Sequence, residues 1–387
     1  MSTLESMHQK AATLYEDKKL KEALAVYEEI IKTMCPNDEV ALSCIMDIYL
    51  ELDDKFNYYL ARANVNITQN KLEYAISDTK KALELDMDNI DARRKLARLY
   101  KVDNKILKSI DEFLKLLEIS PNEIDAYFEL VDLYMKEGSI ESALTIAHKG
   151  IALFPNNPDL KNMTAQLYFK NNDYKSALEV VQDDLLRIKI LLQDEQNEKA
   201  QEELSKIDYN SLNKHQRIGY SILRAQYLYN TKDFDNALEE IEIYTQLNGP
   251  DALSFQMKAL IYEEKNDEFN SHLNWGFCYK LQNKFDDAIV EFDNAYKENQ
   301  NDKTVLIELA NLYQYNKERY VAMEYWQKVY DIDKDEQARE ILAEFYYSEG
   351  NFDKAQEYGK ALEKKEEKQE EQFEGFLDKI MNFFAKK

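Results

Sequence analysis

The side chains best suited to metal binding are scattered along this sequence of 387 residues. None of the four histidines stands at metal-ligand spacing from another histidine or from a cysteine. The three cysteines are odd in number and widely spaced, which disfavours a zinc site or a disulfide framework. These residues are His8, His148, His215, His272, Cys35, Cys44 and Cys278. The sequence therefore predicts no metal site.

Motifs of nucleophilic or phosphate-transfer chemistry are equally absent from the sequence. The eight glycines occur singly, so they form no phosphate-binding loop. No cysteine–histidine or serine–histidine pair carries a recognisable local signature. Adjacent carboxylates such as Asp183–Asp184 occur among 74 acidic residues and are expected to be solvated helix faces. We predict a protein that is not an enzyme and needs no cofactor.

The charge and the apolar patterning restrict the partners. A net charge of −24 repels the phosphates of nucleic acid and of anionic lipid, so no nucleic acid is expected as a partner. The N-terminus has no apolar run of signal-peptide length, and no apolar stretch of about 18 residues could span a bilayer. Cysteine usage fits a reducing compartment. We expect a cytoplasmic protein that could contact a membrane only through its C-terminal helix.

An internal repeat in the sequence predicts the secondary-structure elements that carry these residues. Around Ala143, Val131 lies twelve positions earlier, Tyr134 nine earlier and Ile140 three earlier, and the same offsets recur along the chain. The gaps between successive anchors from Ala75 to Ala177 are equal. This pattern predicts antiparallel helix pairs in which two small residues let the backbones approach. The anchor residues are Ala23, Ala75, Ser109, Ala143, Ala177, Ala200, Ala237, Ala288, Ala322 and Ala355.

A helix pair this short cannot bury its apolar face alone, so successive pairs must stack. The pattern resembles the tetratricopeptide repeat (TPR) family over residues 4–365. The resemblance implies an all-α solenoid of about ten helix-turn-helix repeats, a non-catalytic scaffold or adaptor. In such proteins the first helix of each repeat lines a concave groove that binds partner peptides or helices.

Two anchor gaps are longer than the others, and each predicts one extra, unpaired helix. They follow Ala23 and Ala237. In the first gap, one continuous helix and a break near Asp53–Asp54 both fit the spacing. Many positions of the first half recur at a nearly constant offset in the second half, so we hypothesise a duplicated array. We expect an N-terminal array at 1–181, a C-terminal array at 182–365, and a charged linker with an amphipathic helix at 366–387.

The groove positions implied by the resemblance point to a tentative peptide-binding site. Arg94 and Arg98 lie one turn apart on one helix face, with Lys101 close by, and arginine can hold carboxylates in a bidentate geometry. Asn64 and Phe128 occupy groove positions of neighbouring repeats. This basic patch is a candidate site for an acidic peptide. The alternative is pairing within the chain, with nearby carboxylates such as Asp91 and Asp103.

The final segment, FEGFLDKIMNFFAKK, places its large apolar side chains on one face of a helix. This helix could cap the solenoid, which needs a terminal cap. It could also lie in a membrane interface, making the protein a peripheral membrane-associated assembly factor, or bind a partner or a second copy. The residues concerned are Phe373, Phe376, Leu377, Ile380, Phe383 and Phe384.

Overall fold

The computed structural model describes residues 3–359, and within them it contains 22 α-helices, one 3-10 turn at Tyr209–Ser211 and no strand. This confirms the all-α prediction. The helices are α1 Thr3–Glu16, α2 Leu20–Thr33, α3 Glu39–Glu51, α4 Lys55–Thr68, α5 Leu72–Leu85, α6 Ile90–Val102, α7 Ile106–Ile119, α8 Ile124–Glu137, α9 Ile140–Leu153, α10 Pro158–Lys170, α11 Tyr174–Val180, α12 Asp184–Gln193, α13 Asn197–Lys206, α14 Lys214–Asn230, α15 Phe234–Asn248, α16 Ala252–Glu264, α17 Glu268–Leu281, α18 Phe285–Glu298, α19 Lys303–Tyr315, α20 Arg319–Asp333, α21 Glu336–Ser348 and α22 Phe352–Glu357.

The anchor positions are where the two helices of each pair meet. All ten anchors are at most 1% exposed. The residue twelve positions before each anchor is buried as well. In one pair the contact includes a hydrogen bond, because Ser109 Oγ donates to the carbonyl of Ala97 at 2.8 Å. In another, a Cβ added to Gly276 would lie 2.6 Å from the ring of Phe292. At position 276 a small residue is therefore required by the close approach of the two helices.

Turns of two or three residues join the helices within each pair, and each turn has one left-handed residue that reverses the chain. Asparagine or glycine, which tolerate this conformation best, occupies seven of these twelve positions. They are Lys18, Asp53, Asn70, Asn104, Gly138, Asn172, Glu195, Lys232, Asn266, Asn283, Lys317 and Gly350. The short turns keep neighbouring helices antiparallel.

The two extra helices, α3 and α16, are joined to the following helix by the same kind of turn. The first segment breaks at residues 52–54, where Asp53 has a φ of 56° and Asp54 caps α4 by accepting from Asn57 N at 3.1 Å. At the second, Ala259 and Ser271 are twelve positions apart and both buried, like the other anchor pairs. Helix α17 therefore serves as the second helix for α16 and the first for α18.

The helix bounds repeat along the chain. Each of α16, α17, α18 and α19 begins and ends at one and the same offset from its counterpart among α3, α4, α5 and α6. A constant offset through four helices and three turns, including the extra helix, is the pattern that a duplication would leave. It supports the hypothesis of a duplicated array. The matching first residues are Glu39 and Ala252, Lys55 and Glu268, Leu72 and Phe285, and Ile90 and Lys303.

The chain divides into two compact units, Met1–Ile190 and Leu191–Lys387. Within each, the core consists of successive apolar clusters, each formed by several consecutive helices. The domain boundary that we propose at 181/182 lies just before α12. The predicted amphipathic helix, including Phe373 and Phe384, lies outside the described residues.

Candidate functional site

Three of the predicted site residues lie on α6, and two of them are held by carboxylates of the next repeat. Arg94 Nη2 lies 2.5 Å from Glu123 Oε2. Lys101 Nζ lies 2.7 Å from both Glu129 Oε2 and Asp132 Oδ2. Burial alone would lower the pKa of Lys101, but its hydrogen bonds to Asp132 and Glu129 hold that pKa above its ordinary value. The side chains of Arg94 and Lys101 are therefore held in place by these carboxylates.

Arg98 has the longest carboxylate contact and the most exposed side chain of these three cations. Its Nε lies 3.5 Å from Glu129 Oε1, the one ion pair recorded for it within residues 3–359, and its side chain is 51% exposed. The guanidinium has five N–H donors, so most of its hydrogen-bonding capacity faces solvent. We call Arg94, Arg98 and Lys101 the α6 stripe.

The alternative of pairing within the chain accounts for most of the arrangement, because each of the three cations has a carboxylate partner in the chain. Arg94 Nη1 lies 2.6 Å from Asp91 Oδ1, one of the nearby carboxylates considered from the sequence. Asp103, another of them, pairs with Lys105 at 2.5 Å. The stripe therefore combines a contact within its own repeat with contacts to the next one.

Asn64 is brought to α6 by a residue that was not among the predicted site residues. Lys95 Nζ donates a hydrogen bond to Asn64 Oδ1, which joins α4 to α6. Burial lowers the pKa of Lys95 to about 8. Both side chains line a pocket of about 310 Å³ between α2, α3, α4 and α6.

The ring of Phe128 packs against the apolar core and is also partly exposed at the surface. Its ring is partly buried and packs against the apolar cluster between α6 and α10, which includes Leu130 and Leu133. The structure thus places Phe128 on α8, the helix that also carries Glu129 and Asp132, the partners of the stripe. Its remaining exposed edge is the apolar component of the candidate site.

The acidic partners of the stripe were missed because they lie one repeat away in sequence. Glu123 follows Arg94, and Glu129 follows Arg98, at a spacing of about one repeat. The same spacing separates Lys280 from its partner Glu308. Opposite charges about one repeat apart in the sequence could have identified these ion pairs. This comparison requires that the repeat register is known.

Residues 3–359 contain no group of three or more histidine, cysteine or acidic side chains that could hold a metal ion. In the same range, no helix combines the length and the apolar character needed to cross a bilayer. Cys278 is buried, whereas Cys35 and Cys44 are partly exposed.

Residues 128–188, which span α8 to α11 and part of α12, match the family described as Tetratricopeptide repeat. The match falls on helix pairs whose anchors, Ala143 and Ala177, are fully buried. Residues 128–188 are therefore similar to tetratricopeptide (TPR) repeats. Proteins of this family are generally non-catalytic scaffolds that bind other proteins or peptides.

A search of solved structures finds several helical proteins that are similar to this chain. A chain of Naa15/Naa10 bound to HypK-THB is 16% identical with a TM-score of 0.39, and the match covers 92% of this chain and 63% of that one. The present chain therefore spans less than two thirds of that chain. PilF of Pseudomonas aeruginosa is 15% identical with a TM-score of 0.35, over 59% of this chain and 91% of that one.

A tetratricopeptide repeat protein from Parabacteroides merdae is 14% identical with a TM-score of 0.33, over 81% of this chain and 99% of that one. No curated protein matches the sequence. At these identities the likeness concerns the helical repeat and does not identify a partner.

Proposed function

We propose that this protein is a TPR-like, non-catalytic scaffold or adaptor that binds acidic partner segments at the α6 stripe. The observation that supports this most directly is Arg98, whose half-exposed guanidinium is recorded within the described residues with one carboxylate contact, at 3.5 Å. A partner carboxylate would gain bidentate hydrogen bonds there.

The remaining predicted residues have supporting roles in the proposal. Arg94 and Lys101 lie beside Arg98 on α6, and each is held by two carboxylates, which leaves Arg98 as the cation that a partner would contact. Phe128 offers an apolar edge to the partner, and Asn64 fixes the neighbouring repeat through Lys95. The partner is therefore expected to combine carboxylates with at least one apolar side chain.

The test is a selection of random twelve-residue peptides displayed on phage, carried out in parallel on the full chain and on the double variant Arg94→Glu, Arg98→Glu. The proposal predicts that acidic peptides are enriched on the unchanged chain and lost on the variant. Circular dichroism of both proteins checks that the variant keeps its helices. Enrichment of the same peptides on both proteins, or no preference for acidic residues, would contradict the proposal.

The alternative role, a membrane-associated assembly factor anchored by residues between Phe373 and Phe384, depends on a segment outside the described residues. It makes a separate prediction, which is that the full chain binds lipid vesicles and a chain without this segment does not.

A further inference from the structure

The pocket beside Asn64 has both an apolar wall and an amine. Its volume is about 310 Å³, and Leu42, Ile45 and Leu60 line it together with Asn64 and Lys95. The apolar side chains come from α3 and α4, whereas the amine enters from α6. A small apolar group held on this wall would lie against Lys95.

Lys95 differs from the other cations of α6. Arg93, Arg94 and Lys101 are each within 2.8 Å of a carboxylate oxygen. The hydrogen bond recorded for Lys95 within residues 3–359 is to a neutral amide oxygen, that of Asn64. A buried ammonium without a carboxylate is disfavoured, so this environment favours the uncharged amine.

Three other charged side chains line the pocket, Glu28 and Lys32 from α2 and Asp91 from α6. Both carboxylates have other partners: Tyr49 OH donates to Glu28 Oε1 at 3.0 Å, and Arg94 Nη1 donates to Asp91 Oδ1 at 2.6 Å. Burial lowers the pKa of Lys95 more than Asp91 raises it, which leaves the pKa at about 8.

We propose that Lys95 is a site of covalent acylation, whose reagent is an acyl thioester with a short apolar chain that occupies the pocket. The uncharged amine attacks the thioester carbonyl, the C–N bond forms and the C–S bond breaks. The amine gives up one proton and the departing thiolate takes one, so the products are an amide and a free thiol. This inference goes beyond peptide binding and does not depend on it.

Acylation would change the charge of this surface. It removes the positive charge of Lys95, whose recorded hydrogen bond within residues 3–359 is to the side-chain amide of Asn64. The acylated lysine is a neutral amide beside Asn64. The acyl chain would then cover Leu42, Ile45 and Leu60, which removes apolar surface from water.

The test uses the full chain with butyryl-coenzyme A at pH 7, 8 and 9, followed by peptide mapping with mass spectrometry. Lys101 is the matched control, since it lies on the same helix but its pKa is raised by Asp132 and Glu129. At pH 8 about half of the Lys95 amine is uncharged, against roughly 1% or less for an ordinary lysine. We expect Lys95 to react at least tenfold faster than Lys101.

The isosteric variant Asn64→Asp gives Lys95 a carboxylate partner without changing the size of the side chain. It should raise the pKa of Lys95 and slow its acylation severalfold, while the other lysines react as before. Acetylation with an N-hydroxysuccinimide ester tests access with a smaller, more reactive reagent. The proposal is overturned if Lys95 reacts no faster than Lys101 with either reagent, if butyryl-coenzyme A leaves it unmodified, or if Asn64→Asp leaves its rate unchanged.

Discussion

The carboxylate of Asp78 is buried between α4 and α5, where Arg62 Nε donates to it at 2.8 Å and Asn66 Nδ2 donates at 2.9 Å. The Arg62 guanidinium also lies 5.1 Å and 5.2 Å from the ring centroids of Tyr58 and Tyr59. Asn66 occupies a position where most repeats have an aromatic residue. Its hydrogen bond to Asp78 explains that departure from the pattern.

Replacing Asp78 by alanine should strongly destabilise the unit Met1–Ile190. The change leaves the Arg62 guanidinium and the Asn66 amide without their buried acceptor, and breaking a buried ion pair in this way typically costs about 3–5 kcal/mol. The measurement is urea unfolding followed by circular dichroism.

The control for this prediction is Asp235→Ala, because Asp235 forms an ion pair with Lys265 but its side chain is 87% exposed. Solvent screens such a pair, so its loss should leave unfolding nearly unchanged. Equal unfolding midpoints for the Asp78 and Asp235 variants would show that the buried pair does not stabilise the repeat.

Between helices, the close contact within each pair determines the register. Gly276 on α17 faces Phe292 on α18, and the Phe292 ring is fully buried. The ring lies where any larger side chain at position 276 would have to go. The same geometry explains why every residue twelve positions before an anchor is buried.

The change Gly276→Ala should be destabilising although alanine favours helix formation. Its Cβ would lie 2.6 Å from the Phe292 ring, and overpacking of this kind costs about 1–3 kcal/mol, against roughly 1 kcal/mol gained in helix propensity. Thermal unfolding measures the difference.

Gly150→Ala is the matched comparison, because a Cβ at that position would lie 3.2 Å from the ring of Tyr127. The wider gap predicts a smaller loss than at Gly276. A Gly276 variant as stable as the unchanged protein, or a larger loss at Gly150, would contradict this account of helix contact.

The sequence predicted the helix pairs well because small residues at anchor positions are a strict steric requirement. It placed all ten anchors, from Ala23 to Ala355, at positions that are buried. It missed the pair formed by Ala259 and Ser271, because α16 was interpreted as an extra helix without a partner. For the candidate site it identified the cations of α6 and the nearby Asp91, but not the acidic partners in the next repeat, because opposite charges about one repeat apart in sequence were not compared.

Over the whole chain, the constant offset allows the two arrays to be compared position by position. The cationic stripe belongs to the first array alone among these equivalent helices, because its three positions on α19 carry no charge. If the arrays arose by duplication, their binding surfaces have diverged in charge. The counterparts of Arg94, Arg98 and Lys101 are Ile307, Asn311 and Gln314.

A chain that ends at Gln372 tests the C-terminal segment. If that segment caps the solenoid, its removal exposes apolar surface, so the shortened chain should unfold at a lower temperature. Neither chain should float with vesicles of phosphatidylcholine and phosphatidylserine. Flotation of the full chain alone, with unchanged thermal stability, would favour the membrane-associated role instead.

Binding of acidic partners at the α6 stripe can be tested with one pair of charge reversals. Arg98 and Arg319 have similarly exposed side chains, 51% and 56%, and each has a carboxylate contact, at 3.5 Å and 3.7 Å respectively. The measurement is the Kd of a fluorescent acidic peptide from the phage selection, by anisotropy. We predict that Arg98→Glu weakens binding at least tenfold and Arg319→Glu less than twofold; equal effects of the two changes would contradict binding at the stripe.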